Sequence, residues 1–363
     1  MSLALTSGEL TQLGYTALDN FLKNDPIDQV ATERPWLRKL TSMKRSFPGG
    51  KQYIVEQIRT GYDENLSWYG GDDTVAYNRR DTVRQTNFPW GGWHDGFSLN
   101  EDLLLANGIT ITDRNARSGG STNSAADMLQ LTNLFQENIE VLRLGCEKVF
   151  DRELHRDGTQ DAKAIAGLDS LVAVDPTSGT VGGINRATSG NEYWRNNYVA
   201  AGITQASLIS SMESMWRDCM REGGAPDFIL AGSDFVDDFR AAAASEITRY
   251  TDLPRTGGNA EFDPSIKQSQ GGTYTGLHFQ GVPIVWDPIF SELDTLDSPV
   301  VTWEKRCYMI NCKHIRLRPA AGHDMVPRTP PRNANAYVHY WGLTWKGALT
   351  MNKAQSHGVL YID

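Results

Sequence analysis

From Asn123 to Asp157, apolar side chains fall at Met128, Leu131, Phe135, Ile139, Leu142, Cys146, Val149 and Phe150. They stand three or four apart, which predicts one long amphipathic α-helix. Ser121, Thr122, Asn123 and Ser124 offer N-caps, Asp127 lies near the positive end of the dipole, and Gly158 supplies a left-handed stop. At about 1.5 Å per residue such a helix runs roughly 45–50 Å, long enough to be a strut along which other structure is built. A second apolar set, Leu129, Leu134, Val141 and Leu144, lies off the main stripe and is expected to meet the C-terminal strands or a loop.

Elsewhere the pattern alternates between strand and helix. Ser7 to Lys23 reads as a weak helix, and Glu33-Arg34-Pro35-Trp36 interrupts the next short helical piece. Lys51–Arg59 and Thr82–Trp93 are extended, joined by the polar, turn-rich GYDENLSWYGGDD. Two strands alone bury too little apolar surface to offset chain entropy, so this long β-excursion must lie on something else. Tyr62, Trp68, Tyr69, Trp90 and Trp93 are the side chains expected to make that contact, unless the rings pack across the hairpin on one another. Residues 99–122 hold a short apolar segment and a Gly-rich hinge at Ser118–Thr122. A helix is predicted over Thr204–Glu222, with Ala206, Ile209, Met212, Trp216 and Met220 on one stripe. A buried strand at Phe228–Ala231, a helix at Ser233–Tyr250, two strands around Gln280-Gly281 and a strand from Arg306 to Leu317 complete a mixed α/β region over 165–320. The tail from Tyr337 to Ile362 has strand composition and has to pair elsewhere in the chain.

Charge and composition narrow the function. At 363 residues with a net charge of -9, the chain has ample length for two domains and lacks the basic balance of a protein that grips nucleic acid over a broad surface. The N-terminus has no signal-peptide pattern, and no run of some eighteen apolar residues suits a membrane helix. Cys146, Cys219, Cys307 and Cys312 are scattered, as in a reducing compartment.

Catalytic signatures are weak. There is no G-x-x-x-x-G-K-[ST], GGTYTG lacks dinucleotide spacing, and no G-x-S-x-G elbow occurs. His155-Arg156-Asp157 imitates the start of a kinase catalytic loop, but Ala162 stands where its Asn is required. Cys307, Cys312, His314 and His323 suggest zinc by type. On a single strand, however, Cys307 faces away from Cys312 and His314, so buried small hydrophobes are the better reading. Asp72-Asp73 with Glu64, among Trp68 and Tyr69, could line a sugar subsite, which leaves a carbohydrate-active enzyme using Asp72 or Asp73 as the alternative function. No cofactor and no metal is implied.

At Gly183-Ile184-Asn185-Arg186-Ala187-Thr188 and Trp194-Arg195-Asn196 the chain resembles the major capsid proteins of tailed bacteriophages, the Hong Kong 97 fold family. The resemblance implies an α+β fold in four parts: an N-terminal arm (about 1–45), an extended β-loop (46–98), a peripheral domain with a long spine helix (99–162 with 321–363), and a mixed α/β axial domain (163–320). It implies a non-enzymatic shell protein that assembles with itself into hexamers and pentamers of an icosahedral head in the host bacterial cytoplasm. A separate scaffolding protein, a portal protein and weak, non-specific contact with packaged DNA follow from it, and no membrane. The aromatics of the β-loop would lie over a neighbouring subunit. Gly182, Gly183, Arg186, Trp194 and Arg195 form a structural turn after the spine helix. The two arginines suit bidentate contacts to carboxylates, and pinning the subunit's own turn is their favoured role over pairing with the next subunit. Lys51 and Asn352 are nominal partners for the loop cross-link that some members form.

Overall fold

Pro35 opens a helix instead of interrupting one. In the computed structural model α1 (Pro35–Ser42) begins at this residue, where a proline loses only an N–H that has no helical partner. The structure describes residues 33–62, 66–75, 77, 82–100, 102, 125–221, 224–245, 274–328 and 338–363. The Ser7–Lys23 helix, the N-caps at 121–124 and the hinge at 118–122 fall outside them. After α1 come β1 (Tyr53–Arg59), β2 (Val83–Pro89), β3 (Gly91–Asn100) and the long α2 (Ala125–His155). The short strands β4 (Thr180–Val181), β5 (Ile184–Asn185) and β6 (Asn197–Tyr198) lead to α3 (Leu208–Arg221), β7 (Phe228–Ala231) and α4 (Ser233–Ser245). The chain continues through β8 (Tyr274–Phe279), β9 (Val282–Trp286), α5 (Ile289–Asp297), β10 (Arg306–Ile310), β11 (Ile315–Pro319), β12 (Val326–Arg328), β13 (Val338–Met351) and β14 (Gly358–Tyr361).

The chain divides into two compact units, residues 1–32 with 93–150 and 322–345, and residues 33–92 with 151–321 and 346–363. In the first, β12 pairs antiparallel with β13 from Val326↔Thr344 to Arg328↔Gly342, and β3 also pairs with β13. Trp93, Phe150 and Trp345 form its aromatic centre, with Phe150 and Trp345 ring centroids 4.6 Å apart.

The predicted spine is present as the 31-residue α2, and Gly158 takes the expected positive φ just beyond it. Its packing is narrower than either predicted stripe. Cys146 and Phe150 are buried, but Ile139, Val141 and Val149 are exposed, Val141 at 60%. Leu144 is half-buried, while the side chains of Leu129 and Leu134 lie outside the described residues. The expectation that the second set meets the rest of the chain therefore fails at Val141.

In the second unit a six-stranded sheet runs in the order β6-β14-β10-β7-β9-β8. The tail thus pairs where it had to, with β14 antiparallel to β10 and parallel to β6. β7 and β10 are buried at every position, which accounts for the unbroken apolar run FILA: a strand covered on both faces has no solvent side to alternate with. One face carries Ile229, Ala231, Cys307, Met309 and Ile284 against α3 and α4. The register places Phe228, Leu230 and Tyr308 on the other, where Trp36 of α1 stacks on Phe228 with ring centroids 6.2 Å apart. Arg306 pairs with Asp169 at 2.9 Å and lies over the Trp303 ring.

Two predicted elements are shifted. In α3 the buried face is Leu208, Ile209, Met212, Met215, Trp216 and Cys219, whereas Met220 is exposed; Ala206 sits in the preceding 3-10 turn Gln205–Ser207 and is exposed. The stretch from Arg306 to Leu317 is two strands, because Asn311–His314 turns, with the His314 N–H donating to the Asn311 carbonyl at 3.0 Å. Cys307 and Cys312 are buried, as expected.

His357, just before β14, is fully buried and accepts the Asn311 N–H on Nδ1 at 3.1 Å. Burial, reinforced by nearby His314, pushes its pKa down to about 3, so folding holds it neutral while the unfolded chain takes up a proton near its ordinary value. The resulting stability is complete above about pH 6.5 and is lost as pH falls toward the folded value. Denaturant unfolding of the chain is expected to show a loss of about 3 kcal/mol from this residue by about pH 4.5, and His357→Gln to flatten that part of the curve.

Candidate functional site

The β-excursion is a two-stranded antiparallel ribbon, paired from Tyr53↔Pro89 to Arg59↔Val83 and closed by the Thr60 N–H donating to Thr82 O at 2.8 Å. Its base is buried at Ile54, Ile58, Thr86 and Phe88. Beyond Thr60 the character reverses. Tyr62 is 75% exposed, Trp68 95% and Tyr69 72%, and Leu66 and Tyr77 stand equally open. Rings exposed to this degree are not packed across the hairpin on each other. Trp90 and Trp93 behave differently: Trp90 lies against Phe47 and donates Nε1–H to Lys51 O at 3.2 Å, and Trp93 is half-buried in the aromatic centre of the first unit. Leu66 and Tyr77 join the exposed set without having been expected there; Leu66 lies in the same turn-rich segment as Trp68 and Tyr69, which is the signal that could have found it, and Tyr77 lies four residues beyond that segment's end at Asp73.

What holds the ribbon base is the motif at 179–196. β4 and β5 form a tight antiparallel hairpin whose turn residues Gly182 and Gly183 have φ of +58° and +77°, the positive values that a two-residue hairpin turn of the I′ kind needs. Gly182 is also constrained by contact: an added Cβ would stand 3.0 Å from Phe88 Cζ and 3.1 Å from Thr86 Cβ. Its carbonyl accepts the Asn87 N–H at 2.8 Å. Ribbon and hairpin therefore interlock at one glycine. Gly182→Val is expected to lower the unfolding free energy by about 2–3 kcal/mol through strain and collision, measured by denaturant titration.

Arg186 fixes the hairpin from within. It is buried, and Nε donates to Trp194 O at 2.9 Å, Nη1 to Ser170 O at 3.1 Å and Nη2 to Leu171 O at 2.6 Å. Trp194 returns a bond from Nε1 to Val181 O at 2.9 Å, and Arg195 clasps the Arg186 carbonyl with Nε and Nη2. The carboxylate partners expected for these arginines are replaced by main-chain carbonyls. With burial unrelieved by an anion, the Arg186 pKa is pushed down to about 10, still charged at neutral pH. A second tie joins the ribbon to β11, through an ion pair between Glu56 and Arg318.

Of the acids of the alternative reading, Asp73 is an ordinary turn residue in its contact. Asp73 Oδ2 accepts the Gly70 N–H at 2.7 Å, closing the loop tip; Asp72 is exposed, and Glu64 lies outside the described residues. Asn352, the nominal cross-link residue, has its side-chain oxygen 2.7 Å from His314 Nδ1. His155 is buried at the end of α2, with Nε2 3.1 Å from Asp287 Oδ2. Burial opposes charge on its ring, yet the Asp287 carboxylate raises its pKa overall. Burial likewise pushes the neighbouring Asp151 carboxyl up. No helix among the described residues is long and apolar enough to cross a membrane.

No protein-family model and no curated protein matches the chain. Solved structures do. The capsid asymmetric unit of Cyanophage A-1(L) is similar over 94% of this chain and 97% of that one, at 15% identity and a TM-score of 0.58. The capsid of Myoviridae phage XM1 matches over 93% and 95% at 9% identity and a TM-score of 0.54. A chain from Mycobacterium phage Bobi matches over 99% and 98% at 10% identity and a TM-score of 0.50. Similarity across nearly whole chains at such low identity is a statement about fold, and it bears out the α+β, Hong Kong 97-like fold expected from the sequence.

Proposed function

We propose that this chain, whose fold is that of phage capsid chains, is the major capsid protein of a tailed phage: a non-enzymatic subunit that assembles with itself into hexamers and pentamers of an icosahedral head around double-stranded DNA. The observation that carries the proposal is the ribbon tip. A firmly anchored β-ribbon ending in Tyr62, Leu66, Trp68, Tyr69 and Tyr77, all open to solvent, is an interface awaiting its other side, because large rings left in water mark contact surfaces. In this assignment residues 1–45 are the arm, 46–98 the extended loop, 99–162 with 321–363 the peripheral domain and 163–320 the axial domain, with β14 returning to pair with β10. The loop aromatics seat on the neighbouring subunit, while Gly182, Gly183, Arg186, Trp194 and Arg195 hold the loop's root.

A net charge of -9 suits a container that has to release its DNA, since a strongly basic inner face would retain phosphate. A separate scaffolding protein and a portal would direct closure, in the cytoplasm of the host bacterium, and the virion is the final location. Expression with the neighbouring phage genes, followed by electron microscopy, tests the proposal: closed shells are expected, and a chain that stays monomeric beside its scaffold would overturn it.

A further inference from the structure

Asp151 and His155 at the end of α2 meet Asp287, which precedes α5, in the fully buried interior of the second unit. Each gives one polar atom to the main chain. Asp151 Oδ1 accepts the Leu37 N–H at 3.2 Å, Asp287 Oδ1 accepts the Ile289 N–H at 3.2 Å, and His155 Nδ1 lies 2.8 Å from the Asp151 carbonyl oxygen, to which it donates its proton. Left over are Asp151 Oδ2, His155 Nε2 and Asp287 Oδ2. One nitrogen or oxygen from each residue lies within 4.8 Å of the others, and Nε2 is 3.1 Å from Asp287 Oδ2. Asp151 Oδ2 is buried with no hydrogen-bond partner; the positive charge of Arg34 acts on Asp151 without reaching that oxygen by a hydrogen bond.

With its Nδ1 proton fixed by the main chain, a neutral His155 turns an Nε2 lone pair toward a carboxylate, an arrangement that requires something positive between them. A second proton on the imidazole satisfies the His155–Asp287 pair and leaves Asp151 Oδ2 bare, at the cost that any unpaired buried carboxylate oxygen incurs. A divalent cation satisfies all three atoms and balances the two carboxylates. Ligand atoms about 2.0–2.1 Å from a tetrahedral ion stand about 3.3 Å apart, close to the separation between Nε2 and Asp287 Oδ2. The hydrogen bonds from main chain to the far atom of each side chain are the outer supports that orient metal ligands.

We propose that Asp151, His155 and Asp287 bind a divalent cation of the zinc class, which ties the end of α2 to α1 through Asp151 and to α5 through Asp287. An imidazole among the ligands favours zinc over magnesium or calcium. The test uses the full chain, produced in zinc-supplemented medium and compared with chain stripped by a chelator. Elemental analysis after gel filtration is expected to find close to one zinc per chain, and restoring Zn2+ to raise the unfolding midpoint by about 3 °C or more. Asp151→Asn and Asp287→Asn are expected to keep the native circular dichroism and lose both retained zinc and the shift. Asp151→Asn is also expected to be no less stable than stripped wild type, because it removes the bare oxygen's charge. Zinc below a tenth of stoichiometry with no shift, or zinc retained undiminished by both variants, would overturn the proposal.

Discussion

On the proposed function, Trp68→Ala combined with Tyr69→Ala is expected to leave a folded, soluble chain and to abolish closed shells. Trp68 is almost wholly and Tyr69 mostly in solvent within one chain, so their removal subtracts little from the subunit's own packing, and circular dichroism and unfolding should match wild type to within about 0.5 kcal/mol. Across an interface such rings act as anchors, each contributing about 2–4 kcal/mol. A shell repeats the contact at every subunit, so assembly fails as a whole. Sedimentation would show the double variant as free subunits or small rings under conditions where wild type forms particles. The contrasting change Trp90→Ala is expected to behave in the opposite way, lowering subunit stability, because Trp90 is held by Phe47 and the Lys51 carbonyl.

The second large effect is expected at Arg186. Arg186→Ala removes the donors to Ser170, Leu171 and Trp194 carbonyls at once and opens a cavity in a buried site. Each orphaned carbonyl costs about 1–3 kcal/mol, offset partly because a buried cation is no longer desolvated. A net loss of roughly 3–5 kcal/mol is expected by denaturant unfolding. Arg186→Lys should recover only part of it, because an ammonium cannot offer three donors in the fixed plane of a guanidinium. The loss should also free the ribbon base, seen as faster amide exchange at Asn87, whose N–H is bonded to Gly182.

Much of this architecture can be read from residues. The spine is legible because its periodicity persists along the helix and its stop is a glycine; β7 is legible because an apolar run of four between Asp227 and Gly232 fits a strand covered on both faces. Packing faces are harder. The stripe on α3 is displaced because Met215, Cys219 and Leu208 are as suited to a core as Ala206 and Met220, and only the sheet decides which side it covers. Pro35 reads as a break in sequence, yet the same residue is also a helix start. The partners of Arg186 leave no trace, because main-chain carbonyls have no sequence identity. Asp151, His155 and Asp287 are invisible as a group for a different reason: the sequence separates His155 from Asp287 by 132 positions, and His155 draws notice only through a kinase-like tripeptide that the fold does not use.

In the proposed function the ribbon's aromatic tip is what joins fold to assembly, and one measurement bears on that proposal most directly. Particles purified after expression with the phage assembly genes would be reconstructed by cryo-electron microscopy to a resolution that traces side chains. The account predicts walls built from this chain in rings of five and six, with Trp68 and Tyr69 of each copy buried against a neighbouring copy. A wall built of another protein, or a shell of this chain in which both rings still face solvent, would contradict it.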